Sequence, residues 1–122
     1  MARVLVVDDD PMICESLDFF LSNDGHDVAT VQDGSAALDN LRARPADIAI
    51  VDLFMPIKEG FETIRELKRY HPQTFVIAMS GGSRYNGTDL LSMAVKLGAD
   101  QALQKPMASE RLRETIAQCL ER

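Results

Sequence analysis

The stretch that decides the fold is Ala46-Asp47-Ile48-Ala49-Ile50-Val51-Asp52-Leu53-Phe54-Met55-Pro56. Its first six residues form a short, mostly apolar run rich in β-branched side chains, which is typical of a central strand buried on both faces. Asp52 follows at once, and Pro56 stops any continuation of the strand. Because ligands of open α/β sheets bind beyond the carboxyl ends of the strands, Asp52 is a candidate site residue as well as a candidate turn former.

Similar apolar runs alternate with helical patterns along the whole chain. Strands are predicted at residues 3–7, 26–31, 46–51, 74–79 and 101–104, and a helical pattern follows each of them. Five strands alternating with five helices form a (βα)5 pattern, which implies one α/β domain over residues 1–122. Such a pattern predicts a parallel sheet with helices on both faces and right-handed crossovers.

Short polar residues mark the predicted starts of the helices. We expect Asp10 to cap the first helix, with Pro11 as its first residue. The other candidate caps are Asp33 or Ser35 for the second helix, Thr88 or Asp89 for the fourth and Ser109 for the fifth. The third helix is expected from Glu59 to Tyr70.

The composition is that of an ordinary globular domain and excludes several function classes. The chain has 122 residues, of which 46% are hydrophobic and 26% charged, and a net charge of −6. This charge disfavours direct nucleic-acid binding, which needs clustered Lys and Arg. No apolar run approaches the ~20 residues of a membrane span, and the N-terminus does not resemble a signal peptide. Cys14 and Cys119 lack metal-ligand spacing and are interpreted as reduced core thiols of a cytoplasmic protein.

A parallel sheet brings the polar residues at its strand ends to one edge: Asp8, Asp9, Asp52, Ser80 and Lys105. Three carboxylates there would repel one another by about 4 kcal/mol for each pair at 4 Å. A hard cation such as Mg²⁺, which prefers oxygen ligands, would relieve this repulsion. With a hydroxyl and a lysine beside it, the set is complementary to a phosphoryl group.

Other sites known for this fold lack their sequence signatures. A dinucleotide site needs G-x-G-x-x-G after the first strand, where this chain has Asp8-Asp9-Asp10-Pro11. Those acids would also repel the phosphate of a flavin. The chain contains neither a P-loop nor an EF-hand loop.

Four motifs in this order resemble the response-regulator receiver domain, the phospho-acceptor module of two-component signalling. They are Asp8-Asp9, Asp52-x-x-Met55-Pro56-x-x-x-Gly60, Ser80 and Lys105-Pro106. The resemblance covers Val4 to Pro106, and the last helix completes the module. It implies a flavodoxin-like, doubly wound five-stranded parallel sheet in the order 2-1-3-4-5.

The resemblance also implies roles for the acids. Asp52 would accept the phosphoryl group from a phosphohistidine and form an acyl phosphate. Mg²⁺ would be held by Asp9, Asp52 and the backbone carbonyl of Phe54, while Asp8 would act largely through a metal-bound water. We expect Asp10 to serve only as a helix cap.

The remaining motif residues would hold and sense the phosphoryl group. Lys105 would pair with its oxygens, and Ser80 would move toward them after transfer. The resemblance further implies a cis Lys105-Pro106 bond and a positive φ at Gly60 in the turn after the third strand.

The chain departs from the family pattern where the switch is usually read out. Receivers commonly carry an aromatic residue three positions before the lysine, whereas this chain has Ala102. The long loop at 81–87 is rich in glycine and contains Tyr85. We hypothesise that reordering of this loop replaces ring rotation, with Ser80, Ala102 and Tyr85 forming the switch region.

Three functions compete at this stage. The first is a phosphorylation-controlled signalling domain, which modifies itself rather than turning over an outside substrate. The second is a pseudo-receiver, an interaction module that works without phosphate. The third is a metal-dependent phosphatase, but such enzymes usually carry a second acid two residues after the nucleophile, where this chain has Phe54.

The implied partners are proteins. They are a sensor histidine kinase or phosphotransfer protein as donor and a downstream protein or output domain, without nucleic acid or membrane. The family's usual output surface, formed by helix 4, strand 5 and helix 5, would permit a homodimer. Its expected exposed charges have both signs: Lys96, Asp100, Arg111 and Arg113. The sequence is that of a stand-alone receiver or of one cut from a longer protein.

Overall fold

The structure is a computed structural model that describes residues 2–53, 57–80, 87–104 and 109–121, without the side chains of 57, 58 and 87–91. Strands and helices alternate through these ranges, as the apolar periodicity predicts. The elements are β1 (Arg3–Val7), α1 (Pro11–Asn23), β2 (Asp27–Val31), α2 (Gly34–Ala43), β3 (Ile48–Asp52), α3 (Ile57–Tyr70), β4 (Phe75–Ser80), α4 (Gly87–Lys96), β5 (Gln101–Gln104) and α5 (Ser109–Leu120).

The strands form one parallel sheet in the order β2-β1-β3-β4-β5, which confirms the predicted fold. Two apolar cores lie on its opposite faces. One core joins the sheet to α2, α3 and α4, and the other joins it to α1 and α5. Strand β3 has β1 and β4 as neighbours and is buried along its whole length. Its continuous apolar sequence is therefore explained by burial on both faces.

Two of the five predicted helix starts are confirmed, together with the predicted end of the third helix at Tyr70. The side chain of Asp10 accepts a hydrogen bond from the backbone N–H of Met12, and Asp33 caps α2 in the same way. Gly25, with φ of 92°, ends the turn that follows α1. No helix in the described ranges is both long and apolar enough to cross a membrane.

Three predicted starts are wrong by one to three residues. Helix α3 begins at Ile57 rather than Glu59. Helix α4 begins at Gly87, so Thr88 and Asp89 lie inside its first turn, where the helix dipole also favours acids. Ser109 is the first residue of α5 rather than the cap before it.

Candidate functional site: an acidic cluster at the carboxyl edge of the sheet

The parallel register brings the ends of β1 and β3 together. Val7 pairs with Val51, so the next residues, Asp8 and Asp52, are neighbours at the carboxyl edge. Both acids are almost fully buried, at 0% and 1% exposure. Carboxylates held this deep need compensating interactions, because burial strongly disfavours the charged form.

Asp9 joins these two acids to form a compact cluster. One carboxylate oxygen from each of Asp8, Asp9 and Asp52 lies within 4.8 Å of the others. Asp9 is exposed, so the cluster is open to solvent on one side and closed on the other. Three hard oxygen donors at this separation fit a divalent cation such as Mg²⁺, which takes one or two carboxylates and completes its shell with water and phosphate oxygens.

Asp10 is turned toward the helix and stands outside this cluster. Its Oδ1 atom accepts from the backbone N–H of Met12 at 2.9 Å, and its own N–H donates to Asp8 Oδ1 at 2.9 Å. The prediction that Asp10 caps α1 is therefore confirmed. Its backbone has a second effect, since it holds the carboxylate of Asp8 in place.

Cys14 is a residue of this site that the sequence interpretation missed. Its buried Sγ atom donates to the backbone carbonyl of Asp8 at 3.3 Å. Burial, and next the negative charge of Asp8, raise the pKa of the Cys14 thiol above its usual value. The prediction of a free core thiol is confirmed for Cys14 and Cys119. The available signal was that Cys14 lies on the first turn of the helix that directly follows Asp8 and Asp9, which places it near these acids.

Ser80 reaches the same edge one strand further along. It is the last residue of β4, it is 2% exposed, and it pairs in register with Gln104 at the end of β5. Ala102 lies earlier on β5, half-buried and paired with Ala78. The structure thus brings Ser80 to the edge that carries Asp52, while Ala102 lies two residues before the end of the outer strand β5.

Three predicted site residues, Phe54, Tyr85 and Lys105, lie outside the described residues. The same holds for the predicted cis Lys105-Pro106 bond. Their roles stay predictions. The last described residue before Lys105 is Gln104, the register partner of Ser80.

The prediction of a positive φ at Gly60 is wrong. Gly60 lies within α3, and the described glycines with positive φ are Gly25 and Gly98. A Cβ atom on Gly60 would lie 3.3 Å from Leu53 Cδ2 and 3.6 Å from the carbonyl oxygen of Asp52. The absence of a side chain at Gly60 therefore allows close packing of α3 against the end of β3.

Two charges expected on the output surface are bonded elsewhere. Asp100 is largely buried, and its Oδ2 accepts from Lys68 Nζ at 3.0 Å and from the backbone N–H of Val76 at 2.8 Å. Arg113 donates at 2.8 Å to Asp24, the residue that follows α1, and its guanidinium lies over the ring of Phe20 in α1. These contacts join elements that are distant in sequence, and sequence periodicity carries no information about them.

The chain resembles known proteins over nearly its whole length. It is 33% identical over 117 residues to transcriptional regulatory protein ZraR of Klebsiella oxytoca, which covers 96% of this chain and 26% of that protein. The structure of NtrX from Brucella abortus superposes with a TM-score of 0.89 at 28% identity, covering 98% of this chain and 27% of that one. The chain therefore spans about a quarter of the length of these relatives.

A relative of similar length is the DrrB receiver domain in its BeF3-activated form. It superposes with a TM-score of 0.85 at 27% identity and covers 100% of this chain and 99% of that one. Residues 4–117 match the response regulator receiver domain family. The chain therefore belongs to the receiver domain family of two-component response regulators.

Proposed function

We propose that this receiver domain accepts a phosphoryl group on Asp52 from a phosphohistidine, in a reaction that depends on Mg²⁺. The observation that carries the proposal is the grouping of Asp8, Asp9 and Asp52 within 4.8 Å at the end of the central strand. A single buried acid could simply stabilise a turn, whereas three carboxylates close to one point repel one another unless a cation binds between them.

In the proposed reaction a carboxylate oxygen of Asp52 attacks phosphorus. The bond between phosphorus and the imidazole nitrogen breaks, and that nitrogen keeps the electron pair and takes up a proton. When bound, Mg²⁺ would neutralise the phosphoryl oxygens. The burial of Asp52, at 1% exposure, supports this role because it fixes the nucleophile and limits the access of water.

Two further residues would hold the transferred group. The hydroxyl of Ser80, at the end of the neighbouring strand, would donate to a phosphoryl oxygen. Lys105, which follows β5 in sequence, would supply a positive charge. The backbone carbonyl of Phe54 would complete the protein ligands of the metal, with Asp8 acting through a bound water. Movement of Ser80 would begin the switch, with Tyr85 taking part in place of the ring missing at Ala102.

We also propose protein partners on both sides of this reaction. A histidine kinase or phosphotransfer protein would be the donor, and a downstream protein or output domain would read the phosphorylated state. The BeF3-activated DrrB relative supports the phosphorylated state that such a partner would read, since trifluoroberyllate has the tetrahedral shape of a phosphoryl group. A homodimer through α4, β5 and α5 stays a prediction, supported by the half-exposed Met93 and Val95 on α4. The cytoplasmic location is likewise a prediction.

The test is incubation with a small phosphodonor, followed by intact mass measurement. With Mg²⁺ we expect one phosphoryl adduct, and we expect none with EDTA. Asp52→Asn should lose the adduct, while Asp47→Asn, at an exposed acid near the start of β3, should keep it. A folded wild-type protein that gains no adduct would identify a phosphate-independent interaction module instead. Steady release of phosphate from added phosphomonoesters would identify a phosphatase.

A further inference from the structure

The thiol of Cys14 is bonded to the backbone on which the acidic cluster is built. Its Sγ atom lies 3.3 Å from the carbonyl oxygen of Asp8, in a buried contact. The carbonyl of Val31, at 3.9 Å, is a more distant second acceptor. The thiol thus connects the first turns of α1 to the end of β1.

This contact closes a ring of hydrogen bonds around the turn from β1 to α1. The N–H of Asp8 donates to Val31 at 3.1 Å, and the N–H of Cys14 donates to the carbonyl of Asp10 at 3.1 Å. The N–H of Asp10 donates to the side chain of Asp8 at 2.9 Å. Within this ring, the Cys14 thiol donates to the carbonyl of Asp8.

The carbonyl of Asp8 matters because it belongs to the peptide unit that leads into Asp9. A peptide unit is planar, so fixing the carbonyl direction fixes the plane from which the Cα atom of Asp9 departs. Asp9 is the exposed acid of the three, and core packing therefore does little to orient it. The backbone therefore has more influence on the position of the Asp9 carboxylate than on those of Asp8 and Asp52.

We propose that Cys14 is a positioning residue for the metal site. By donating to the carbonyl of Asp8, its thiol sets the peptide plane that aims the carboxylate of Asp9 at Asp8 and Asp52. The inference rests on the proposed function, because it assigns to Cys14 control over the affinity of this acidic cluster for a divalent cation.

A simpler role for Cys14 is that of a core filler, and two substitutions separate the two roles. Cys14→Ser keeps a hydrogen-bond donor at the same place but is more polar than the thiol. Cys14→Val keeps the apolar volume but removes the donor. If Cys14 only fills space, serine is the damaging change. If it positions Asp9, valine is the damaging change for metal binding.

The experiment measures Mg²⁺ affinity by titration calorimetry and melting temperature in EDTA for each variant. We expect Cys14→Val to weaken Mg²⁺ binding about three- to tenfold, the loss that corresponds to one hydrogen bond of ordinary strength. Cys14→Ser should stay within about twofold of wild type, even where its melting temperature in EDTA falls. A role in packing alone would not produce a Cys14→Ser variant that keeps its Mg²⁺ affinity while losing stability.

Cys119→Val is the matched control. Cys119 is also buried, and it packs in the same core as Cys14. It lies near the end of α5, a helix that runs back from the carboxyl edge, and so it lies toward the opposite edge of the sheet. Its substitution should leave Mg²⁺ affinity unchanged.

Unchanged Mg²⁺ affinity in Cys14→Val would overturn the positioning role and leave the proposed function intact. Equal weakening in Cys119→Val would also overturn it, because the effect would then come from the core as a whole. Absence of Mg²⁺ binding by the wild-type protein would instead overturn the proposed function, and the positioning role with it.

Discussion

Gly60 lies so close to Leu53 that an added Cβ atom would be 3.3 Å from Leu53 Cδ2 and 3.4 Å from Leu53 Cα. Leu53 follows the proposed acceptor Asp52 and is 2% exposed, so a methyl group added at Gly60 would press on a side chain packed in the core. The first turn of α3 thus packs directly on the end of β3, with no side chain between them.

Gly60→Ala should therefore destabilise the protein although alanine is the better helix former. The gain in helix propensity is about 1 kcal/mol, and overpacking of a core costs about 1–3 kcal/mol. We expect a net loss of about 1 kcal/mol in the free energy of unfolding, measured by urea denaturation. Ser16→Ala, at an exposed position of α1, is the control and should change stability by less than about 0.5 kcal/mol. A stabilised Gly60→Ala would show that the contact relaxes without cost.

Asp9→Asn should raise the stability of the metal-free protein and reduce the stabilisation that Mg²⁺ provides. In EDTA it removes repulsion from Asp8 and Asp52, and we expect about 1 kcal/mol of added stability. With Mg²⁺, the wild type should gain about 1.4 kcal/mol for each tenfold excess over Kd, and the variant should lose most of this gain. Melting curves in the two conditions measure both effects.

Asp10→Asn is the control for this experiment. Asparagine also caps helices, and Asp10 lies outside the cluster, so the response to Mg²⁺ should be kept. A wild-type protein with equal melting temperatures in Mg²⁺ and in EDTA would contradict the metal site.

The ion pair between Lys68 and Asp100 should stabilise the fold more than exposed pairs do. Lys68 Nζ donates to Asp100 and to the carbonyl of Thr74, and the side chains of the pair are 22% and 20% exposed. Lys68→Met would leave the carboxylate of Asp100 largely buried without its counter-charge, at a cost of about 2 kcal/mol. In the exposed pair of Arg42 and Asp39, Arg42→Met should cost less than about 0.5 kcal/mol. Equal losses of stability in Lys68→Met and Arg42→Met would show that burial does not strengthen the ion pair.

The pair of Asp24 and Arg113 should make a contribution to stability that depends on pH. The hydrogen bond from Arg113 lowers the pKa of Asp24 below the ordinary value of 3.8. A lowered folded-state pKa stabilises the fold above the unfolded pKa, and this contribution is lost as pH falls through the folded value.

The difference in melting temperature between wild type and Arg113→Gln should therefore be largest near neutral pH and shrink below about pH 4. Part of the difference in melting temperature should persist in acid, because Arg113 also lies 4.7 Å from the centre of the Phe20 ring. A difference independent of pH would assign the whole effect to that ring contact.

The sequence was sufficient for the sheet and for part of the site. Asp8 and Asp52 could be placed together because the ends of neighbouring parallel strands meet at one edge. Gly60 was misinterpreted because glycine is needed both for positive φ and for close packing, and the spacing of the motif does not distinguish the two.

Other contacts could not be predicted because they depend on how the helices sit on the sheet. The bond from Cys14 to Asp8 requires the register of α1 against β1. The pair of Lys68 and Asp100 joins residues 32 positions apart. Apolar periodicity indicates which face of a helix is buried, but it does not identify the partner of a given polar atom.

The proposed function requires that Asp52 carry the phosphoryl group as an acyl phosphate. Borohydride reduces an acyl phosphate of aspartate to homoserine, so treatment of the phosphorylated protein followed by peptide sequencing locates the acceptor without any substitution. We expect homoserine at position 52, with Asp8 and Asp9 unchanged. Homoserine at position 8 or 9, or a phosphorylated protein in which Asp52 survives the reduction, would contradict it.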